Sequence, residues 1–294
     1  MPMIDEFLDY LRYERNYSAL TVENYGKDLA DLQAYFEDLD EGLTWTTLDA
    51  DVVRGWMEHM MDKGNTATSV NRRLSAVRTF YRYAMARGLA ETNPAHAIEG
   101  PKKQKPLPQF VKEREMDELL EPEIWGDNYK DVRARTLLLT FYSTGMRLSE
   151  LINLDDSMVD FNTCEVRVTG KRDKQRIIPF GEELRTTLQE YIARRDADTK
   201  RATDALFVTD KGERMNRNQV RYEVSKALAR VTTLRKRTPH VLRHTFATAM
   251  LNHEAGLESV KKLLGHVSLS TTEVYTHATF EQLKRVYNNA HPRA

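Results

Sequence analysis

The stretch "EGPKKQKPLPQF", residues 99–110, does most to limit the fold of this 294-residue chain. Pro101, Pro106 and Pro108 remove backbone donors and restrict φ, so neither a helix nor a strand interior can run through it. Lys102, Lys103 and Lys105 keep it in water. The chain therefore divides into residues 1–100, a basic Pro-rich linker at 101–108, and residues 109–294. The length suits two domains, each with its own core.

Hydrophobic periodicity differs on the two sides. Ahead of the linker, Ile4, Phe7, Leu8 and Leu11 recur at helical spacing. Three more helical segments follow. They are "SALTVENYGKDLADLQAYFED" with Ser18 as cap, "LDADVVRGWMEHMMDKG" closed by Gly64, and "ATSVNRRLSAVRTFYRYAMARG" closed by Gly88. Beyond the linker, "CEVRVTG" and "QRIIPF" alternate as two short strands around a polar turn, among many helical segments. The expected fold is mainly α with a small antiparallel β-sheet. It has two domains, an N-terminal four-helix domain and a mixed α/β domain.

One cysteine, Cys164, rules out a disulfide framework and fits a reducing compartment. It reads as a small buried strand residue. The acidic, amphipathic start lacks the basic and apolar regions of a secretory leader. No apolar run approaches ~18 residues. A cytoplasmic protein without a membrane anchor is expected.

Lys+Arg and Asp+Glu are equal at 44 each, so net charge says nothing about partners. Local distribution says more. Between residues 63 and 106 the only acids are Glu91 and Glu99, against a series of lysines and arginines. In the fourth helical segment Val70, Leu74, Val77, Tyr81 and Ala84 form an apolar stripe. Asn71, Ser75, Arg78 and Arg82 form a polar one beside it. That face is either simply solvated or tracks a phosphate backbone. In the second case Arg72, Arg78, Arg82, Lys102 and Lys103 are the DNA-binding candidates.

Four motifs in the second part carry chemistry. In "TPHVLRHTFATAM", Thr238 and Pro239 start a helix, with Thr238 as cap. His240 and Arg243 then share a face in its first turns, where an anion is favoured. His240 and His244 have the spacing of two zinc ligands. Val241 stands where a zinc protease has Glu, however, and no further ligand group is suitably spaced, so no metal is expected. "STGMRLSELINL" puts Arg147 at a helix start with Glu150 three residues on, and "TGKRDKQ" puts Lys171 on the hairpin turn. In "LLGHVSLSTTEVYTHAT", Gly265 ends a helix, His266 follows, and Ser270-x-x-Glu273 is a capping box. Tyr275 then falls in the next helix's first turns. A free phenol has a pKa near 10 and is a weak nucleophile at neutral pH without help. Singly, these residues read as an ion pair, a capped helix and a packing aromatic.

Together, Arg147, Lys171, His240, Arg243, His266 and Tyr275 resemble the active site of the tyrosine recombinase family. "TGMRLSEL", "VTGKRDKQRIIPF", "TPHVLRHTFATAML" and "LLGHVSLSTTEVYTHA" look like its successive motifs, in order. The first 100 residues resemble its core-binding domain and the remainder its catalytic domain. Size and the lack of appendages are most similar to Xer recombinases. Met146 stands where Leu is usual, and Arg172 where Gly often follows the lysine.

The resemblance implies double-stranded DNA as partner and no cofactor. It makes Tyr275 the nucleophile that forms a 3′-phosphotyrosyl link. It makes Arg147 and Arg243 the phosphate clamp, Lys171 the general acid and His240 the base. His266 donates a hydrogen bond to the phosphate, and Glu150 orients Arg147 or a histidine. It further implies a homo- or hetero-tetramer on two DNA sites and resolution of chromosome or plasmid dimers. Mobile-element integration and a binding-only role are the alternatives. Phe280, Leu283, Val286 and Tyr287 form an apolar strip in the last helical segment. It packs on its own domain, or, as the resemblance implies, residues 278–290 dock on a neighbouring subunit.

Overall fold

Apolar residues at helical spacing build the first unit. The computed structural model describes residues 2–103, 109–170, 175–265 and 277–294. The chain separates into two units, Met1–Pro106 and Leu107–Ala294. In the first, α1 (Pro2–Asp9) runs into a π-helical turn, Tyr10–Glu14, and α2 (Ala19–Leu39), α3 (Ala50–Asp62) and α4 (Ala67–Ala86) follow. Polar caps start them: Ser18 accepts from the Thr21 amide, Asp49 from Asp51 and Val52, and Thr66 from Ser69. The whole stripe Val70, Leu74, Val77, Tyr81 and Ala84 is buried, against Phe7, Leu29 and Trp56 among others. Residues 101–103 have no regular structure, and 104–108 lie outside the described residues.

The second unit is built on a helix whose last nine residues are all buried. After α5 (Glu113–Leu120), α6 (Tyr129–Thr144) buries Leu137, Leu138, Leu139, Phe141 and Tyr142. Its hydroxyls are buried too. Thr136, Thr140 and Thr144 each donate to the carbonyl four residues back, which satisfies them inside the core. A helix covered on all sides over residues 136–144 belongs at the centre of a domain. α7 (Leu148–Ile152) follows, then three strands, β1 (Val159–Asp160), β2 (Glu165–Thr169) and β3 (Gln175–Pro179). They pair antiparallel in that order, with Val166 opposite Ile178 and Thr169 opposite Gln175. The chain closes with α8 (Glu182–Asp198), α9 (Arg217–Leu228), α10 (Pro239–Asn252), α11 (Leu257–Leu264) and α12 (His277–Ala290).

One expectation needs correction. Cys164 is not inside a strand. It stands half-buried at φ 54° at the end of the turn before β2, where the chain must reverse. The apolar strip of α12 packs within its own unit. Leu283, Tyr287 and Ala290 are buried against Phe246 and Met250 of α10 and Val260, Leu263 and Leu264 of α11. Within this single chain the strip thus packs on its own domain, one of the two coverings its sequence allows.

The residues after α12 fasten it further. His291 stacks on Tyr287 with ring centroids 5.1 Å apart, and its Nε2 lies 3.1 Å from the Tyr142 carbonyl oxygen. Arg293 bridges Asp117 on α5 and Glu183 on α8. Burial pulls the His291 imidazole down to about 4, so it is neutral near pH 7. An unfolded histidine titrates near 6.5 and gains a proton that the folded side chain cannot accept. Stability is thus full above about pH 6.5 and is lost as pH falls toward 4. Denaturant titrations at pH 7.5 and 5.0 are expected to differ by about 2 kcal/mol from this group. His291→Phe should remove that part of the difference.

Candidate active site

Gly145, at φ +58°, ends α6 in the left-handed conformation and turns the chain into Arg147. A Cβ there would lie 2.5 Å from the Phe246 ring and 2.9 Å from Leu264, so only glycine allows so close an approach. Arg147 occupies the N-cap position of α7, and Glu150 lies in that helix's first turn.

The Glu150 side chain is 1% exposed. Oε2 accepts from the Arg147 backbone amide at 2.7 Å and from Arg176 Nη2 at 2.9 Å. Oε1 accepts from Arg147 Nη1 at 2.8 Å and from Arg176 Nη1 at 2.6 Å. Burial pushes this carboxyl up, but hydrogen bonds and charge from Arg176, then Arg147, outweigh it and hold it below the ordinary carboxylate range. A carboxylate has about four acceptor positions, and these four donors fill them. Glu150 therefore orients Arg147.

Three guanidiniums meet at the end of α11. Arg176 Nε donates to the Leu263 carbonyl at 3.1 Å, Arg243 Nη2 to Leu264 at 2.6 Å, and Arg147 Nη2 to Gly265 at 3.1 Å. The last carbonyls of a helix have no partner within it, and cations at that end are favoured by its dipole. Gly265 is left-handed at φ +67°, with its missing Cβ position 3.2 Å from Arg176. Arg243 is 5% exposed and also donates to the Gly145 carbonyl at 2.6 Å. Burial, then repulsion from Arg147 and Arg176, pulls its guanidinium down to about 10. One carboxylate thus faces three cations. The Arg147 side chain is 39% exposed, so this excess charge has an open side for an anion.

His240 lies one turn from Arg243 on α10, with its Nε2 3.2 Å from the His244 Nε2. Burial lowers its pKa, and His244 and Arg243 lower it further, so a neutral imidazole able to take a proton is favoured. Thr238 has N-cap backbone geometry ahead of Pro239, but its side chain makes no capping bond, unlike the expectation. Among the described residues no group of three or more His, Cys, Asp or Glu could hold a metal ion, and no helix is long and apolar enough to cross a membrane. Arg147, Glu150, Arg243 and His240 are therefore brought together. Lys171, His266 and Tyr275, with the Ser270–Glu273 capping box, lie outside the described residues.

The polar face of α4 is a different matter. Arg72 forks onto buried Asp28. Arg78 donates to the Ala95 and Ile98 carbonyls, and Asn71 to Ala67 and Pro101. These side chains hold the first unit's own chain. Arg72, Arg82, Lys102 and Lys103 are exposed, and Arg78 and Arg82 with Met85, Asn93 and His96 line an open cavity of about 650 Å³.

Sequence reasoning missed Arg176. The signal was there: in "QRIIPF" the alternation puts Arg176 on the same inward face as Ile178, and both are buried. His244, weighed only as a metal ligand, is the partner of His240.

The profile described as "Phage integrase family" matches residues 109–282, and "Phage integrase, N-terminal SAM-like domain" matches residues 4–88. Tyrosine recombinase XerC of Pelotomaculum thermopropionicum is 40% identical, over 99% of this chain and 98% of that protein. Tyrosine recombinase XerC of Staphylococcus aureus is 39% identical, over 99% and 96%. The fold is that of XerH site-specific recombinase bound to palindromic difH substrate, with TM-score 0.72 and 23% identity over 92% of this chain and 80% of that one. With the arginine clamp, the full-length likeness and the shared fold agreeing, this chain belongs to the phage integrase family, as a tyrosine recombinase of the Xer kind.

Proposed function

We propose that this chain is a site-specific DNA recombinase that cuts and rejoins strands through a 3′-phosphotyrosyl intermediate on Tyr275. Arg147 and Arg243, oriented by Glu150 and the end of α11, carry the reading: two guanidiniums beside a surplus of positive charge suit a phosphodiester. Tyr275 Oη attacks phosphorus in line with the 5′-oxygen. Its proton passes to neutral His240. The P–O5′ bond breaks, and Lys171 protonates the leaving oxygen. Arg147, Arg243 and His266 meet the charge that grows on the non-bridging oxygens. In the second half a 5′-hydroxyl from another strand attacks the link, and Tyr275 regains its proton. The number of phosphoester bonds is unchanged, so no nucleotide is needed.

We assign core DNA binding to residues 1–100, with 101–108 as linker, and catalysis to 109–294. Double-stranded DNA is the partner, and XerH was solved on its DNA substrate. Full-length likeness to XerC proteins supports resolution of chromosome or plasmid dimers by a homo- or hetero-tetramer on two sites.

Three measurements test this. On a nicked suicide duplex, Tyr275→Phe is expected to bind but form no covalent adduct; an adduct from that variant removes Tyr275 as nucleophile. Wild-type adduct formation is expected to persist in EDTA, because guanidiniums and Lys171 handle the charge. A loss restored by divalent ions would instead make His240 and His244 metal ligands. The two arginines of the α4 face should separate. Arg82→Ala is expected to lower the salt slope of DNA binding by about 0.9 with unfolding unchanged. Arg78→Ala, which strands the Ala95 and Ile98 carbonyls, should cost on the order of 1–3 kcal/mol of stability in denaturant melts.

A further inference from the structure

Arg176 is a buried cation that the reaction above does not use. It stands at the start of β3, five residues after Lys171 in the chain. Its fork takes both oxygens of Glu150, and its Nε holds the Leu263 carbonyl. Glu150 in turn takes the Arg147 amide and guanidinium. Each Glu150 oxygen thus receives one bond from each arginine. Without Arg176, two acceptor positions on a buried carboxylate would be empty, and the carboxylate would turn or take a proton. Either change frees Nη1 of Arg147, whose remaining side-chain bond is to Gly265.

Packing alone does not call for such an arrangement. Arg176 adds a third positive charge beside Arg147 and Arg243, which is a cost in the absence of an anion. A leucine on the inward face of β3 would fill similar space without repulsion. What the guanidinium adds is direction. Its fork is planar and rigid, and it aligns the Glu150 carboxylate in one plane. The same side chain joins β3, the α6–α7 turn and the end of α11. His266 and Tyr275 follow α11 directly in the chain.

We propose that Arg176 is a positioning residue for strand cleavage, holding Glu150 so that Arg147 presents its guanidinium to the scissile phosphate. This rests on the recombinase reading, and wild-type adduct formation run in parallel keeps the two apart: no wild-type adduct counts against that reading, whereas the cycle below counts only for or against Arg176.

The test is a double-mutant cycle read as single-turnover adduct formation on a nicked suicide duplex. Half-site affinity and the denaturation midpoint are measured on the same proteins. Arg176→Met is expected to bind a half-site like wild type and form adduct about 10²-fold more slowly, as for a misplaced catalytic group. In an Arg147→Lys background the same change should cost less than about threefold, because its route of action is already lost. Arg176→Lys keeps the charge without the fork and is expected to be nearly as slow as Arg176→Met. It also serves in the cycle if the methionine variant does not fold. Equal losses in both backgrounds, or restoration by lysine, would overturn the proposal.

Discussion

A carboxylate with almost no exposed surface organises the second unit. Glu150 can stay ionised there only because four donors meet it from two arginines. Those donors come from different elements, so satisfying one buried charge fixes the α6–α7 turn against β3. Arg176 then carries the constraint to Leu263, and Arg147 carries it to Gly265. The orientation of Arg147 is a by-product of meeting the hydrogen-bond demand of one buried acid. Removing either arginine would leave that acid short of partners, so the geometry is held as a unit.

The two units use arginine in contrasting ways. In the first, Arg78 donates to carbonyls of its own domain, and Arg72, although 47% exposed, has its charge matched by the buried Asp28 carboxylate. In the second, Arg147 is anchored yet half-exposed. Position along a helix does not distinguish these cases. Arg78 and Arg82 lie on one stripe, but only Arg78 meets the carbonyls of Ala95 and Ile98 as the chain folds back.

That difference marks the reach of the sequence. The helices were legible because each buried face follows one period, as Val70, Leu74, Val77 and Tyr81 do. The β2–β3 hairpin was legible from its alternation. β1 was not, since two residues carry no period. The grouping of Arg147, Glu150, Arg243 and His240 was legible through family motifs rather than through energetics. Arg176 was hidden because a charged residue in a short strand normally faces water. Its partner, Glu150, is 26 residues away in the chain. For α12 the sequence left two coverings open, for an amphipathic helix declares its apolar face but not what covers it.

The partners chosen at the end of α11 have a further effect. A peptide carbonyl is a dipole with no net charge. Leu263, Leu264 and Gly265 therefore hold three guanidiniums in place without neutralising them. Acidic side chains at those points would restrain the arginines as firmly, yet would cancel much of their field before any DNA arrived. Anchoring by backbone keeps the site both ordered and electrically unfilled. In the proposed reaction a phosphate would meet donors already aimed, with Glu150 the one acid that Arg147 and Arg176 share.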